Sequence, residues 1–207
     1  MNVRIAAQSD NQSDITPPAV LPAQLRRLVL TGFMGAGKTT VGRLLAARLG
    51  WEFLDLDAYI ELRAGLTVPS IFSTHGEQRF RQLESQALAS ALGRSRVVLA
   101  LGGGAPEVLT NRLLLEQTPG TATVFLNAPF PALFDRCMMQ ALNPAASASQ
   151  PSPVASSQIR PLLADPTTAE ARYHARQPIY RRLARITVDT ADLSPEETVA
   201  IVLANLA

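Results

Sequence analysis

The sequence has one cysteine, Cys137, which rules out an internal disulfide and a cysteine-rich zinc site. It has no apolar run of 18 or more residues, so it offers no transmembrane helix. Charge of either sign is in short supply. Nineteen basic and 17 acidic residues leave a formal net charge of +2. The sequence pI near 9.1 therefore does not mark a nucleic-acid protein. The N-terminus lacks a basic stretch followed by an apolar one, which excludes a secretory signal, and Asp10 and Asp14 argue against a transit peptide. A cytoplasmic location, with neither membrane nor nucleic acid as partner, is expected. Lysine is the scarcest of the charged residues. Of the 19 basic residues 18 are arginine, and the one lysine is Lys38.

With 207 residues, 47% of them hydrophobic, and a mean hydropathy of +0.10, the chain can bury one sizeable core and cannot be disordered throughout. Residues 1–26 are polar and proline-bearing and are expected to be a disordered extension. Short apolar strands are expected around Leu28–Leu30, Trp51–Leu54, Arg96–Leu101, Thr123–Leu126 and Ile186–Val188. Helical periodicity runs between them: Val41 to Leu49, Tyr59 to Leu62, Phe80 to Leu92, Leu109 to Leu114, Pro129 to Met139 and Thr167 to Arg185, the last kinked or broken at Pro178. Ser194-Pro195-Glu196-Glu197 opens a C-terminal helix. Residues 137–159 carry no charge, glycine or aromatic and read as a flexible insertion. Alternating strands and helices specify a three-layer α/β/α fold on a parallel sheet, with ligands beyond the carboxyl ends of the strands.

Three glycine-bearing or acidic segments fall at those ends. Gly32 to Thr39 fits G-x-x-x-x-G-K-T, with a strand before it and a helix after it. Its backbone N–H groups suit phosphate oxygens, Lys38 the β- and γ-phosphates, and the Thr39 hydroxyl a Mg²⁺ ion. Lys38, the only lysine, stands where this loop needs one. No lysine remains for a guanine-reading motif, which sets GTPases aside. No strand ends in the acidic pair of a motor ATPase, so the acid near the metal falls to Asp55 or Asp57. That pair can serve the metal and an acceptor hydroxyl, or simply cap the next helix. Arg81 with Glu84 at i+3 can be an aimed guanidinium or an ordinary surface pair. Gly102-Gly103-Gly104 can admit a ligand close to the backbone or be a plain turn.

Taken together, these residues resemble shikimate kinase. The resemblance rests on G-F-M-G-A-G-K-T, the strand-end D-L-D, G-E-x-x-F-R-x-x-E from Gly76, G-G-G-A, R-P-L-L from Arg160 and R-x-P-x-Y from Arg176. It spans Leu28 to the C-terminus apart from residues 137–159, where most relatives have a short charged lid. It implies a P-loop kinase domain over residues 27–207, with a five-stranded sheet of order 2-3-1-4-5 and a mobile lid. It implies ATP bound by Gly35, Ala36, Gly37, Lys38, Thr39 and Thr40, with Arg136 and Pro195 flanking adenine and Mg²⁺ held by Thr39 and, through water, Asp55. Asp57 would meet the ring hydroxyls of shikimate, and Arg81 and Arg176 its carboxylate. Glu84 would support Arg81, Gly103 and Gly104 would offer backbone N–H, and Phe72 and Phe80 would wall the pocket. Lys38, Asp57 and Arg160, the last carried by the lid, would be the catalytic set. The expected product is shikimate 3-phosphate, made by a monomer. A kinase for gluconate or a nucleotide, and a nucleotide-dependent regulator without catalysis, are the competing readings. No chemistry is assigned to His75, His174 or Cys137, for which packing or solvated roles are expected.

Overall fold

A computed structural model describes residues 21–142 and 165–206. Among these residues five strands, β1 (Arg27–Thr31), β2 (Glu52–Asp55), β3 (Val97–Ala100), β4 (Thr121–Asn127) and β5 (Ile186–Asp189), form one sheet of order β2-β3-β1-β4-β5. Every pairing is parallel, with β1 in register against β3 on one side and β4 on the other. The central strands β1 and β3 are buried along their whole length, while edge strand β5 alternates buried and exposed residues. That is the pattern expected when helices cover both faces of a parallel sheet.

Among the described residues seven α-helices supply the cover: α1 (Lys38–Leu49), α2 (Leu56–Ala64), α3 (Val68–Leu92), α4 (Leu109–Gln117), α5 (Phe130–Leu142), α6 (Pro166–Leu183) and α7 (Pro195–Leu206). The two-residue period of β1 sends Leu28 and Leu30 into a core with residues of α1, α5, α6 and α7. It sends Val29 into a second core beneath α2, α3 and α4. Trimming a fully buried aliphatic such as Leu30 to Ala costs about 2–5 kcal/mol by general experience of such cores.

Local signals end the elements where the sequence places them. Gly50 and Gly65 close α1 and α2 in left-handed conformation. Ser194 and Glu197 form a reciprocal capping box at the start of α7, the Glu197 N–H donating to Ser194 Oγ at 3.2 Å and the Ser194 N–H to Glu197 Oε2 at 2.8 Å.

Three expectations change. Helix α6 is not broken at Pro178. Tyr173 and Tyr180, buried on either side of it, anchor the helix to the sheet and outweigh a local penalty of roughly 3 kcal/mol. Helix α5 continues to Leu142, so residues 137–142 are helical, with Cys137 buried. The rest of the 137–159 segment, and Arg160, lie outside the described residues. Residues 21–26 already belong to the body: Leu25 is buried and the Arg26 N–H donates to Gly120 O at 2.8 Å.

Candidate active site

The loops after β1, β2 and β3 meet at one end of the sheet, beside the point where the strand order reverses. The loop after β1 wraps tightly. A Cβ at Gly35, where φ is 78°, would lie 2.7 Å from Leu133 O and 2.9 Å from Cys137 Sγ. Only glycine fits, and the backbone is left to face a ligand. Lys38 opens α1, whose first turn carries no acid. Its ammonium donates to Gly32 O at 2.9 Å and Phe33 O at 3.0 Å. Desolvation lowers its pKa to about 8, against the opposing pull of Asp55 and Asp57. Thr39 and Thr40 follow on the first turn, and Ala36 is buried in the loop.

The cap reading of Asp55 is met by one oxygen, and the other faces Thr39. Oδ1 caps α2, accepting from the N–H groups of Asp57 at 3.1 Å and Ala58 at 3.4 Å. Oδ2 accepts from Thr39 Oγ1 at 3.1 Å. The Thr39–Asp55 pair is a set of hard oxygen donors at the mouth of the loop, which fits Mg²⁺. The chain is not extended through Asp57, because β2 ends at Asp55 and Asp57 leaves from the first turn of α2. Asp57 is nevertheless buried and close to the glycine run, its Oδ1 lying 2.8 Å from where a Cβ on Gly102 would stand.

The other half of the site surrounds that glycine run. Helix α3 breaks at Gly76 and resumes to carry Arg81 and Glu84. Arg81 Nη1 donates to Glu84 Oε2 at 2.9 Å and Nη2 to Glu77 Oε1 at 3.1 Å. Glu84 is only 1% exposed. Burial pushes its carboxyl up to about 7, against the pull of the Arg81 cation. The pairing is therefore more than a surface contact. Gly104 allows the guanidinium to pack on the backbone, since a Cβ there would sit 2.6 Å from Nη2 and 2.7 Å from Nη1 of Arg81. Arg176, from α6, reaches the same turn; its Nη1 lies 3.5 Å from the Cβ position of Gly103. Phe72 and Phe80 stack nearby with centroids 4.6 Å apart, Phe80 buried and Phe72 partly exposed.

The sequence reading gave no role to two residues here. Tyr180, fully buried against Phe125, donates its hydroxyl to Gly103 O at 2.6 Å. Its place four residues after Arg176 puts both on one face of a helix, which was the available signal. Glu107, at the end of a short 3₁₀ turn (Ala105–Glu107), accepts from Arg176 Nη2 at 2.8 Å. No motif announced it.

Arg136 on α5 donates to Thr190 Oγ1 at 3.2 Å, to Thr190 O and to Ala191 O at 3.1 Å, in the loop that leads to Pro195. It thus ties α5 to the entrance of α7, on the side of the loop where Cys137 packs on Gly35. His174 is exposed beside Glu170, and His75 is exposed. Among the described residues no helix is long and apolar enough to cross a membrane. The arrangement pairs an anion cradle and a lysine with a pocket of two convergent arginines. It suits transfer between a polyphosphate and a small carboxylic acid.

Known proteins point the same way. The family model described as shikimate kinase matches residues 34–207. The shikimate kinase of Thermobifida fusca is 40% identical over 179 residues, covering 86% of this chain and 93% of the relative. That of Geobacter sulfurreducens is 55% identical over 97 residues, a stretch spanning 47% of this chain and 54% of the relative. Among solved structures, shikimate kinase from Acinetobacter baumannii in complex with shikimate matches with a TM-score of 0.71 at 35% identity. The match covers 86% of this chain and 91% of that one.

Proposed function

The chain belongs to the shikimate kinase family, and we propose that it transfers the γ-phosphoryl group of ATP to the 3-hydroxyl of shikimate, giving shikimate 3-phosphate and ADP. The observation that carries this reading is the convergence of Arg81 and Arg176 on Gly103 and Gly104, on the same end of the sheet as Lys38 and Asp57. One mouth thus offers a phosphate cradle and a carboxylate clamp.

Each residue then has a physical task. The Gly35–Gly37 backbone, Thr40 and the start of α1 receive the phosphates. Lys38 exchanges its two carbonyl partners for phosphate oxygens. Thr39 and Asp55 would hold Mg²⁺, which supplies charge neutralisation for the phosphates when bound. Asp57 accepts a hydrogen bond from the acceptor hydroxyl and fixes its approach. Arg81 and Arg176 grip the acid's carboxylate, Glu84 holding the Arg81 fork from behind. Gly103 and Gly104 offer N–H groups, and Phe72 and Phe80 exclude water from one side. Arg136 and Pro195 flank the base. Arg160 is assigned by the family resemblance to the transferring phosphoryl group, whose charge is spread most widely in the transition state. We further take the enzyme to act as a cytoplasmic monomer.

A coupled ADP-release assay with shikimate, gluconate, AMP and no acceptor tests the reading. ADP release is expected with shikimate alone and only with Mg²⁺ present. Equal release without any acceptor, or preference for gluconate or AMP, contradicts it.

A further inference from the structure

Arg81 and Arg176 come from helices far apart in sequence, yet one carboxylate oxygen is hydrogen-bonded to Arg176 and within ion-pair reach of Arg81. Glu107 Oε2 lies 2.8 Å from Nη2 of Arg176 and 3.9 Å from Nη2 of Arg81. Among the described ion pairs, no other acid reaches both arginines. Glu84 and Glu77 pair with Arg81 alone. The three acids are held very differently. Glu84 is 1% exposed and fixed on α3, whereas the Glu107 side chain is 38% exposed at the tip of a one-turn 3₁₀ helix. Among the described contacts its carboxylate meets arginines only.

A carboxylate between two guanidinium groups is the same chemistry that the pocket would offer to an acid substrate. Two cations facing one point repel each other unless an anion lies between them. Among the described ion pairs, three protein carboxylates already face these two arginines. A fourth anion arriving at the same guanidinium faces is repelled by whichever of the three stays. Glu107 is the one that both blocks the shared position and has an exposed side chain free to withdraw.

We propose that Glu107 is an internal stand-in for the substrate carboxylate: it bridges Arg81 and Arg176 while no acid is bound, and shikimate displaces it. The proposal rests on shikimate being the acceptor. It makes Glu107 a residue that sets the affinity for an anionic acceptor. An anionic acceptor can take over both arginines from it, whereas a neutral one has no charge with which to compete. The stand-in also weakens shikimate binding, because part of the clamp's attraction is already used.

The test compares wild type with Glu107→Gln, which keeps the shape and removes the charge, and with Glu107→Ala. Dissociation constants are measured by calorimetry for shikimate and for its neutral carboxamide, alongside shikimate-dependent ADP release. Both variants should bind shikimate about fivefold more tightly and show a correspondingly lower KM, with kcat moving less than twofold. Affinity for the carboxamide should move less than twofold. Unchanged or weaker shikimate binding in both variants overturns the proposal, as does equal tightening for the carboxamide, which would mean a steric effect. If wild-type ADP release does not depend on shikimate, the substrate reading falls and this inference with it. If wild type responds to shikimate and only the variants disagree, the inference alone is wrong.

Discussion

The two ends of the site are built on opposite plans. At the proposed phosphate end the loop and its lysine come from one short stretch after β1. Among the described residues of the loop, one cation serves it, held by two carbonyls and depressed to a pKa of about 8. At the acid end the groups come from α3, the turn after β3 and α6, and side chains do the binding. Among the described ion pairs, two cations there are matched by three carboxylates. The first end keeps its lysine on neutral carbonyls. The second holds its cations saturated, so that an incoming carboxylate must exchange with a group already present. A cradle of N–H groups accepts any polyphosphate of the right reach, whereas a guanidinium pair already holding a carboxylate rewards only an anion that can replace it.

If the ends are separate devices, damage to one should leave the other's affinity intact. Lys38→Met should have the largest effect. It removes the only side-chain cation among the described residues of the phosphate loop. A loss of about a thousandfold in kcat/KM, or roughly 4 kcal/mol, is expected. Calorimetry should find shikimate binding within twofold of wild type; a parallel collapse of shikimate affinity would join the two ends into one.

A smaller effect should come from pH. In the free protein Lys38 loses its proton near pH 8, and bound phosphates favour the charged form and raise that value. Affinity for a non-hydrolysable ATP analogue should therefore be full below pH 8 and fall as pH rises through 8 to 9, by roughly fivefold to tenfold if the bound form stays charged. Titrations at pH 7 and pH 9 check it, and an affinity that rises with pH contradicts the assignment.

Tyr180→Phe should do least, and only at the acid end. It removes the hydroxyl that donates to Gly103 O and leaves a carbonyl unpaired. A loss of about 1 kcal/mol of stability is expected, read as a lower Tm. ATP-analogue affinity should not change, and a variant as stable as wild type would show that the bond to Gly103 contributes nothing.

What could be read from sequence divides along the same line. All five strands, their parallel arrangement and the phosphate loop follow from local signals: apolar runs, a glycine-rich turn between strand and helix, and one lysine where the loop requires it; the strand order came with the family resemblance. Asp55 was legible as either a cap or a metal residue; the structure shows the cap through Oδ1, with Oδ2 accepting from Thr39. The acid end is different because proximity there is a product of topology. Arg81 and Glu84 are neighbours on one helix, so their pairing was visible. Arg176 was placed by family resemblance, not by anything local. Glu107 had no signal at all, since a glutamate after A-P looks like any surface acid until α6 brings Arg176 to it. The continuity of α6 through Pro178 was misjudged for the related reason that burial of Tyr173 and Tyr180 is invisible in a local window.

Gly104→Ala tests the separation of the two ends most directly. The added Cβ would stand 2.6 Å from Nη2 of Arg81, at the far end of a flexible side chain, so the guanidinium must move while the fold need not. Both ligands are titrated into the same variant by calorimetry. Shikimate should bind at least about tenfold more weakly, a loss of roughly 1.4 kcal/mol or more, with the ATP analogue within twofold of wild type. If both affinities fall together, or if shikimate binds as tightly as before, Arg81 on the glycine turn is not the carboxylate grip and the two-ended account is wrong.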